Sequence, residues 1–138
     1  ARHFTHEIGP SIQSALLAAS PQDSHHDEIV VQVQSWIHSN YHQEVRNEDL
    51  AKLANMSIRN LTRRFKKATQ TSPSAYLRNT RLEEARALLR DSNATIIEIG
   101  DLVGYRDASH FIDAFKTHTS STPGEYRRLV RAKVFSAV

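Results

Sequence analysis

Residues 72–91, SPSAYLRNTRLEEARALLRD, decide how the rest of the chain is read. Ser72 is placed to cap a helix, and Pro73 follows at the first helical position, where a missing N–H costs nothing. Tyr76, Leu77, Leu82, Ala85, Leu88 and Leu89 recur at roughly helical spacing, while Arg78, Asn79, Glu83, Arg86 and Arg90 fall mostly elsewhere on the wheel. The segments before and after this helix look like copies of each other. It therefore reads as a rigid spacer between two like units.

Upstream, Asn47 is placed to cap a short helix from Glu48 to Asn55, with Leu50, Ala51, Leu53 and Ala54 facing inward. Met56-Ser57 ends it, and Ser57 caps a second helix whose Ile58, Leu61, Phe65 and Ala68 form a buried stripe. Arg59, Thr62, Arg63 and Lys66 lie on the opposite face, with Asn60, Arg64 and Lys67 at its borders. Two short helices across a tight turn, the second basic and polar outside, is the helix-turn-helix arrangement. A basic amphipathic helix taken alone is more often an ordinary solvated surface.

The downstream segment changes that balance. Thr95 with Glu98 forms a capping box, Asp107 caps ASHFIDAFKTHTS, and Thr122-Pro123 with Glu125 opens a last helix. Ser57/Asp107, Leu61/Phe111, Phe65/Phe115, Lys66/Lys116, Pro73/Pro123, Tyr76/Tyr126 and Arg78/Arg128 are each 50 residues apart. Leu50/Ile99 and Ala51/Gly100 are 49 apart, which implies one extra residue in the second turn. A helical repeat array would need about three units for stability. Only two are present.

With 39% hydrophobic residues, 4 Gly and 4 Pro in 138, and no strict alternation, the chain is expected to be all-α: two helix-turn-helix subdomains joined by a long linking helix, about seven helices in all. Residues 1–26 read as a linker or tail, 27–71 as the first subdomain, 72–91 as the linking helix, 92–131 as the second subdomain and 132–138 as a C-terminal tail. The first helix, from about Asp27 to Tyr41, carries an apolar stripe of Ile29, Val33, Trp36/Ile37 and Tyr41, with Asp27 its most plausible cap after His25-His26. The chain starts at Ala1 without Met and is expected to be part of something longer.

Composition excludes several function classes. There is no Cys, hence no disulfide framework and no thiolate metal site or nucleophile, as suits a reducing cytosol. No apolar stretch approaches the ~18 residues of a membrane span. His38 and His42 stand four apart on one helix, but no third ligand or HExxH spacing accompanies them, so two solvent-facing histidines are expected and no metal. No nucleophile elbow or P-loop is present, and neither an enzyme nor a cofactor is expected.

Charge is unevenly spread. The chain carries +3 overall, but residues 57–90 hold nine Lys/Arg against two Asp/Glu, while residues 91–126 hold two against six. Residues 127–138 add four with no acid, and residues 1–56 hold three against seven. Such concentration suits a patch facing a polyanion. A different class of reading is a helical protein–protein interaction module whose basic face meets an acidic partner.

Two motifs, LAKLANMSIRNLTRRFKKATQTSPSAYLRNTRLEEARALL (50–89) and IIEIGDLVGYRDASHFIDAFKTHTSSTPGEYRR (96–128), resemble the DNA-binding domain of AraC/XylS-family bacterial transcription regulators, over about residues 28–131. The MS-R-L-RRF wording of residues 56–65, the tail around Gly9 to Gln13 and His26-Asp27 before the first helix look most like the GlxA-type subgroup, in which an amidotransferase-like sensing domain precedes this one. The resemblance implies a cytoplasmic regulator, an activator more than a repressor, that binds double-stranded DNA through two recognition helices in successive major grooves. RNA polymerase would be a further partner, and any small-molecule effector would bind the missing N-terminal domain. Carried over position by position, Arg59, Thr62 and Arg63 would read bases, with Ser57 and Lys66 near phosphates. In the second unit Ser109, His110 and Asp113 would read, with Lys116 near phosphate. Gln70 and Ser120 depart from the family's usual Gly after each recognition helix, so both helix ends are expected to be strained or differently closed. Asp113 stands where the family commonly has Arg. A carboxylate there repels phosphate, although it can accept a hydrogen bond from cytosine N4.

Overall fold

The computed structural model describes residues 27–137; the tail expected over residues 1–26, His25-His26 included, lies outside them. Among the described residues there are seven helices and no strand: α1 (Glu28–Asn40), α2 (Asn47–Ala54), α3 (Ile58–Thr69), α4 (Pro73–Asp91), α5 (Ile96–Leu102), α6 (Ala108–Thr119) and α7 (Pro123–Ala137). The boundaries follow local chemistry. Asp27 Oδ1 accepts from the N–H groups of Ile29 and Val30 at 3.0 and 3.3 Å, starting α1. Ser57 Oγ accepts from Asn60 N–H at 3.1 Å, and Ser72 Oγ from Ala75 N–H at 3.1 Å. Thr95 and Glu98 close a reciprocal box, and Thr122 and Glu125 another.

One cap differs from expectation. Asn47 is the first residue inside α2, and its side-chain oxygen accepts from the Ser74 hydroxyl at 2.9 Å. The start of α2 is held instead by Asp49, whose carboxylate accepts from Arg46 N–H at 2.9 Å. At the other end, α7 continues to Ala137, so residues set apart as a tail beyond Arg131 prolong the helix. No Gly or Pro interrupts them.

The residues group into two compact units. In the first, Val45–Leu77 joins α1, so that α1, α2, α3 and the start of α4 share a core of Val30, Val33, Ile37, Leu50, Ala51, Leu61, Phe65, Ala68 and Leu77. On α1, Val33 and Ile37 are buried as expected, but the stripe begins at Val30, while Ile29, Trp36 and Tyr41 are only half-buried. Leu53 and Ile58, expected inside, stand 43% and 41% exposed. Each sits next to the turn between α2 and α3, where helical period continues but no partner element covers it.

His38 also departs from the solvent-facing reading. Its Nε2 lies 2.7 Å from the Tyr76 hydroxyl, and the Tyr76 ring packs edge-on against Phe65 with centroids 5.5 Å apart. Burial lowers the His38 pKa from the ordinary 6.5, because removal from water penalises the charged imidazolium. A neutral His38 therefore stabilises the fold above about pH 6.5, and that contribution is lost as pH falls through the lowered folded value. His38→Gln should flatten the acid limb of a melting-temperature profile relative to the parent. An unchanged profile would show that His38 titrates as it does in the unfolded chain.

The second unit comprises Tyr41–Glu44 and the chain from Arg78 on, with a core of Leu82, Ala85, Leu89, Ile99, Val103, Phe111 and Phe115. Leu82, Ala85 and Leu89 are fully buried, as their spacing predicts. A Cβ on Gly100 would lie 2.9 Å from Phe111 Cδ2, so only glycine lets α5 and α6 approach this closely. Arg81 donates to the carbonyls of Tyr41 and Gln43 at 2.8 Å each, fixing the segment that follows α1.

The internal repeat is deeper than the recognition helices. Val30/Leu82, Val33/Ala85 and Ile37/Leu89 are all buried and all 52 residues apart. Asn40 closes α1 by donating to Trp36 O, and Ser92, 52 residues on, closes α4 by donating to Leu88 O. Helix α4 is therefore the counterpart of α1 and opens the second copy as well as completing the first. Thr69 and Thr119 repeat one another too, each donating to the carbonyl four residues back and to a carbonyl two residues on.

Both recognition-helix ends carry the strain expected of a non-glycine cap. Gln70 and Ser120 adopt the left-handed conformation at φ 68° and 69°, and Asn55 does so at φ 56° after α2. This region costs a residue with a Cβ about 1–2 kcal/mol. Part of the relief is offset by the extra freedom that glycine gives the unfolded chain. Ser120→Gly should therefore stabilise by about 0.5–1 kcal/mol, seen as a rise in the thermal midpoint of a few degrees. A fall in the midpoint would mean that the Ser120 side chain makes up for its strained backbone.

Candidate nucleic-acid interface

Helix α3 turns Leu61, Phe65 and Ala68 into the first core, which leaves the rest of its circumference to solvent. Ser57, Arg59, Arg63 and Lys66 are exposed and Thr62 is half-exposed, so the five expected contact residues share one accessible side. Lys67, read as a border residue, is exposed as well. Arg63 Nη2 donates to Asn60 Oδ1 at 2.8 Å, a contact within the helix that orients the guanidinium without neutralising it. No carboxylate pairs with Arg59, Arg63, Lys66 or Lys67 among the described residues. Arg64 behaves differently: it forks onto Asp27, with Nε 3.1 Å from Oδ2 and Nη2 3.0 Å from Oδ1. This bidentate pair draws one positive charge off the face and ties α3 to the start of α1.

Helix α6 is built alike. Asp107 caps it by accepting from Ser109 N–H at 2.8 Å, and Phe111 and Phe115 anchor it in the second core. Ser109, His110, Asp113 and Lys116 are all exposed. The chemistry differs, because Asp113 stands 50 residues after Arg63 and replaces a guanidinium with a carboxylate. On the flank of α6, His118 Nε2 meets Glu83 Oε2 at 2.9 Å, and Arg86 lies over the Tyr126 ring at 5.6 Å. Among the described residues no group of three or more His, Asp or Glu could hold a metal ion, and no helix is long and apolar enough to cross a membrane.

A family model described as a helix-turn-helix domain matches residues 50–129, which takes in α3, α4 and α6 whole. A transcriptional regulator from Chromobacterium violaceum, described as containing an AraC-type DNA-binding domain, superposes at TM-score 0.68 with 31% identity, over 73% of this chain and 90% of that one. The chain belongs to the AraC-type helix-turn-helix family. Within it, the transcriptional activator NphR of a Rhodococcus species is 34% identical over 122 residues, 88% of this chain. The present chain spans only 36% of that relative's length. The DNA-binding domain of AdpA, the global transcriptional factor, solved in complex with a target DNA, superposes at TM-score 0.73 with 30% identity, over 75% of this chain and 94% of that one. These AraC-type relatives are transcription regulators.

Proposed function

We propose that this chain is the sequence-specific, double-stranded-DNA-binding part of a longer bacterial transcription activator, and that it has no enzymatic activity. The observation that carries the reading is the unneutralised row of Arg59, Arg63, Lys66 and Lys67 along α3, in a family whose members include an activator and a domain solved on its target DNA. On this reading α3 enters a major groove, where Arg59 and Arg63 donate to guanine O6 and N7 or to phosphate and Thr62 contacts a base edge. Ser57 and Lys66 lie against phosphates. Helix α6 enters the next major groove, where Ser109, His110 and Asp113 face base edges and Lys116 meets phosphate. Asp113 is suited to a cytosine N4 donor, since an ionised carboxylate can only accept.

The whole protein would be a cytoplasmic regulator of the GlxA-type subgroup, with an amidotransferase-like domain ahead of this one that binds any effector, and RNA polymerase as a further partner. The MS-R-L-RRF wording of residues 56–65 supports the subgroup. Titration of labelled duplex across a salt series tests the function. Binding should weaken with a log–log slope of several units, near −0.9 for each phosphate neutralised. Absence of duplex binding at low salt, together with tight binding to an acidic protein, would establish the adaptor reading in its place.

A further inference from the structure

In the second unit an open groove runs between α4 and α6, lined by Arg78, Asn79, Asp113, Ala114, Thr117 and His118. Asp113 and Thr117 belong to the exposed side of α6, so the groove borders the proposed reading face. Arg78 forms the other wall. Its guanidinium and the Asp113 carboxylate are both exposed, and neither side chain makes a hydrogen bond or ion pair with another described residue. The groove, about 680 Å³ and open to solvent, thus holds a cation and an anion in its lining that form no ion pair with each other.

This arrangement bears on a deficit of charge. The exposed side of α3 holds Arg59, Arg63, Lys66 and Lys67, whereas that of α6 holds one ammonium, Lys116, against one carboxylate, Asp113. A face of nearly zero net charge gains little from a polyanion, and a carboxylate near phosphates is repelled. Arg78 is the one Lys or Arg side chain that lines this groove, which places it to make up the difference. A duplex edge offers phosphate oxygens as acceptors beside base-edge donors such as cytosine N4, and the groove supplies the complement of both.

We infer that Arg78, on the linking helix α4, is a second phosphate contact of the second reading unit beside Lys116, and that it allows Asp113 to approach the duplex as a base reader. The inference rests on the DNA-binding reading above. Arg78→Gln is the direct variant, with Arg90→Gln as a control, because Arg90 is exposed on the same helix but paired with Asp91 at 2.9 Å. Since the Arg78 side chain makes no hydrogen bond or ion pair among the described residues, far-UV circular dichroism and the thermal midpoint should stay close to the parent. Anisotropy titrations on a preferred and a scrambled duplex should show Arg78→Gln weakened about tenfold on both, with the salt slope shallower by about 0.9. Adding Asp113→Asn should recover part of the loss on the scrambled duplex. Affinity and slope within twofold of the Arg90→Gln control would overturn the inference. If Arg63→Ala still weakens binding in that case, the DNA-binding reading survives and only the role of Arg78 is lost.

Discussion

Leu89→Ala should lower the free energy of unfolding by about 2–5 kcal/mol, the largest stability effect expected of a single truncation here. Leu89 is fully buried and belongs to the core of α4, α5 and α6 with Leu82, Ala85, Ile99, Val103, Phe111 and Phe115. Removing its isobutyl group forfeits transfer free energy and leaves a cavity between helices whose rings cannot close it, since Phe111 is already pressed against Gly100. The Leu89 carbonyl also accepts from Arg127 Nε at 3.1 Å, so a shift of this turn of α4 would be felt in α7. Leu53→Ala is the matched control, because 43% of that residue is already in water and its truncation should cost far less. Chemical denaturation followed by far-UV ellipticity measures both. A Leu89→Ala cost below about 0.5 kcal/mol would contradict the packing described for the second unit.

Arg63→Ala should weaken binding to the preferred duplex by about 1–3 kcal/mol and relax the preference at one base pair. The side chain is exposed at the middle of α3, oriented by Asn60 and paired with no carboxylate, so its donors are available to a guanine edge. Lys66→Ala should behave differently, weakening all duplexes about equally and making the salt slope shallower by about one. An ammonium is a point charge on a flexible stem and reads no base pattern. Equal losses for Arg63→Ala on preferred and random duplex would reassign Arg63 to phosphate. The outward-facing position of Arg63 on a well-capped helix means that the fold itself should not change.

Much of this was legible in the sequence, and the reason is locality. Caps are read over three residues, so Asp27, Ser57, Ser72, Thr95 with Glu98, Asp107 and Thr122 with Glu125 all stand where expected. Periodicity placed Leu82, Ala85 and Leu89 inside. It failed at Leu53 and Ile58, because period names a face of a helix but not how far the covering element extends. His38 failed for a related reason: its partner Tyr76 is 38 residues away, and helical spacing carries no trace of it. The likeness of α1 to α4 was hidden by arithmetic, since its offset of 52 lies beneath the more obvious offsets of 49 and 50. Of the candidate interface, the exposed residues of α3 and α6 were accessible to sequence reasoning. The withdrawal of Arg64 onto Asp27 and the sharing of one groove by Arg78 and Asp113 were not, because each joins residues 35 or more apart.

The central claim is that the exposed residues of α3 and α6 read base sequence. Selection of bound duplexes from a fully random pool, using the 138-residue chain, tests it most directly. The expected result is enrichment of one motif in two parts about one helical turn apart, with a guanine position that loses its information when the selection is repeated with Arg63→Ala. Recovery of duplexes with no shared motif, at an affinity that simply follows salt, would contradict it and leave a basic helical surface without a code.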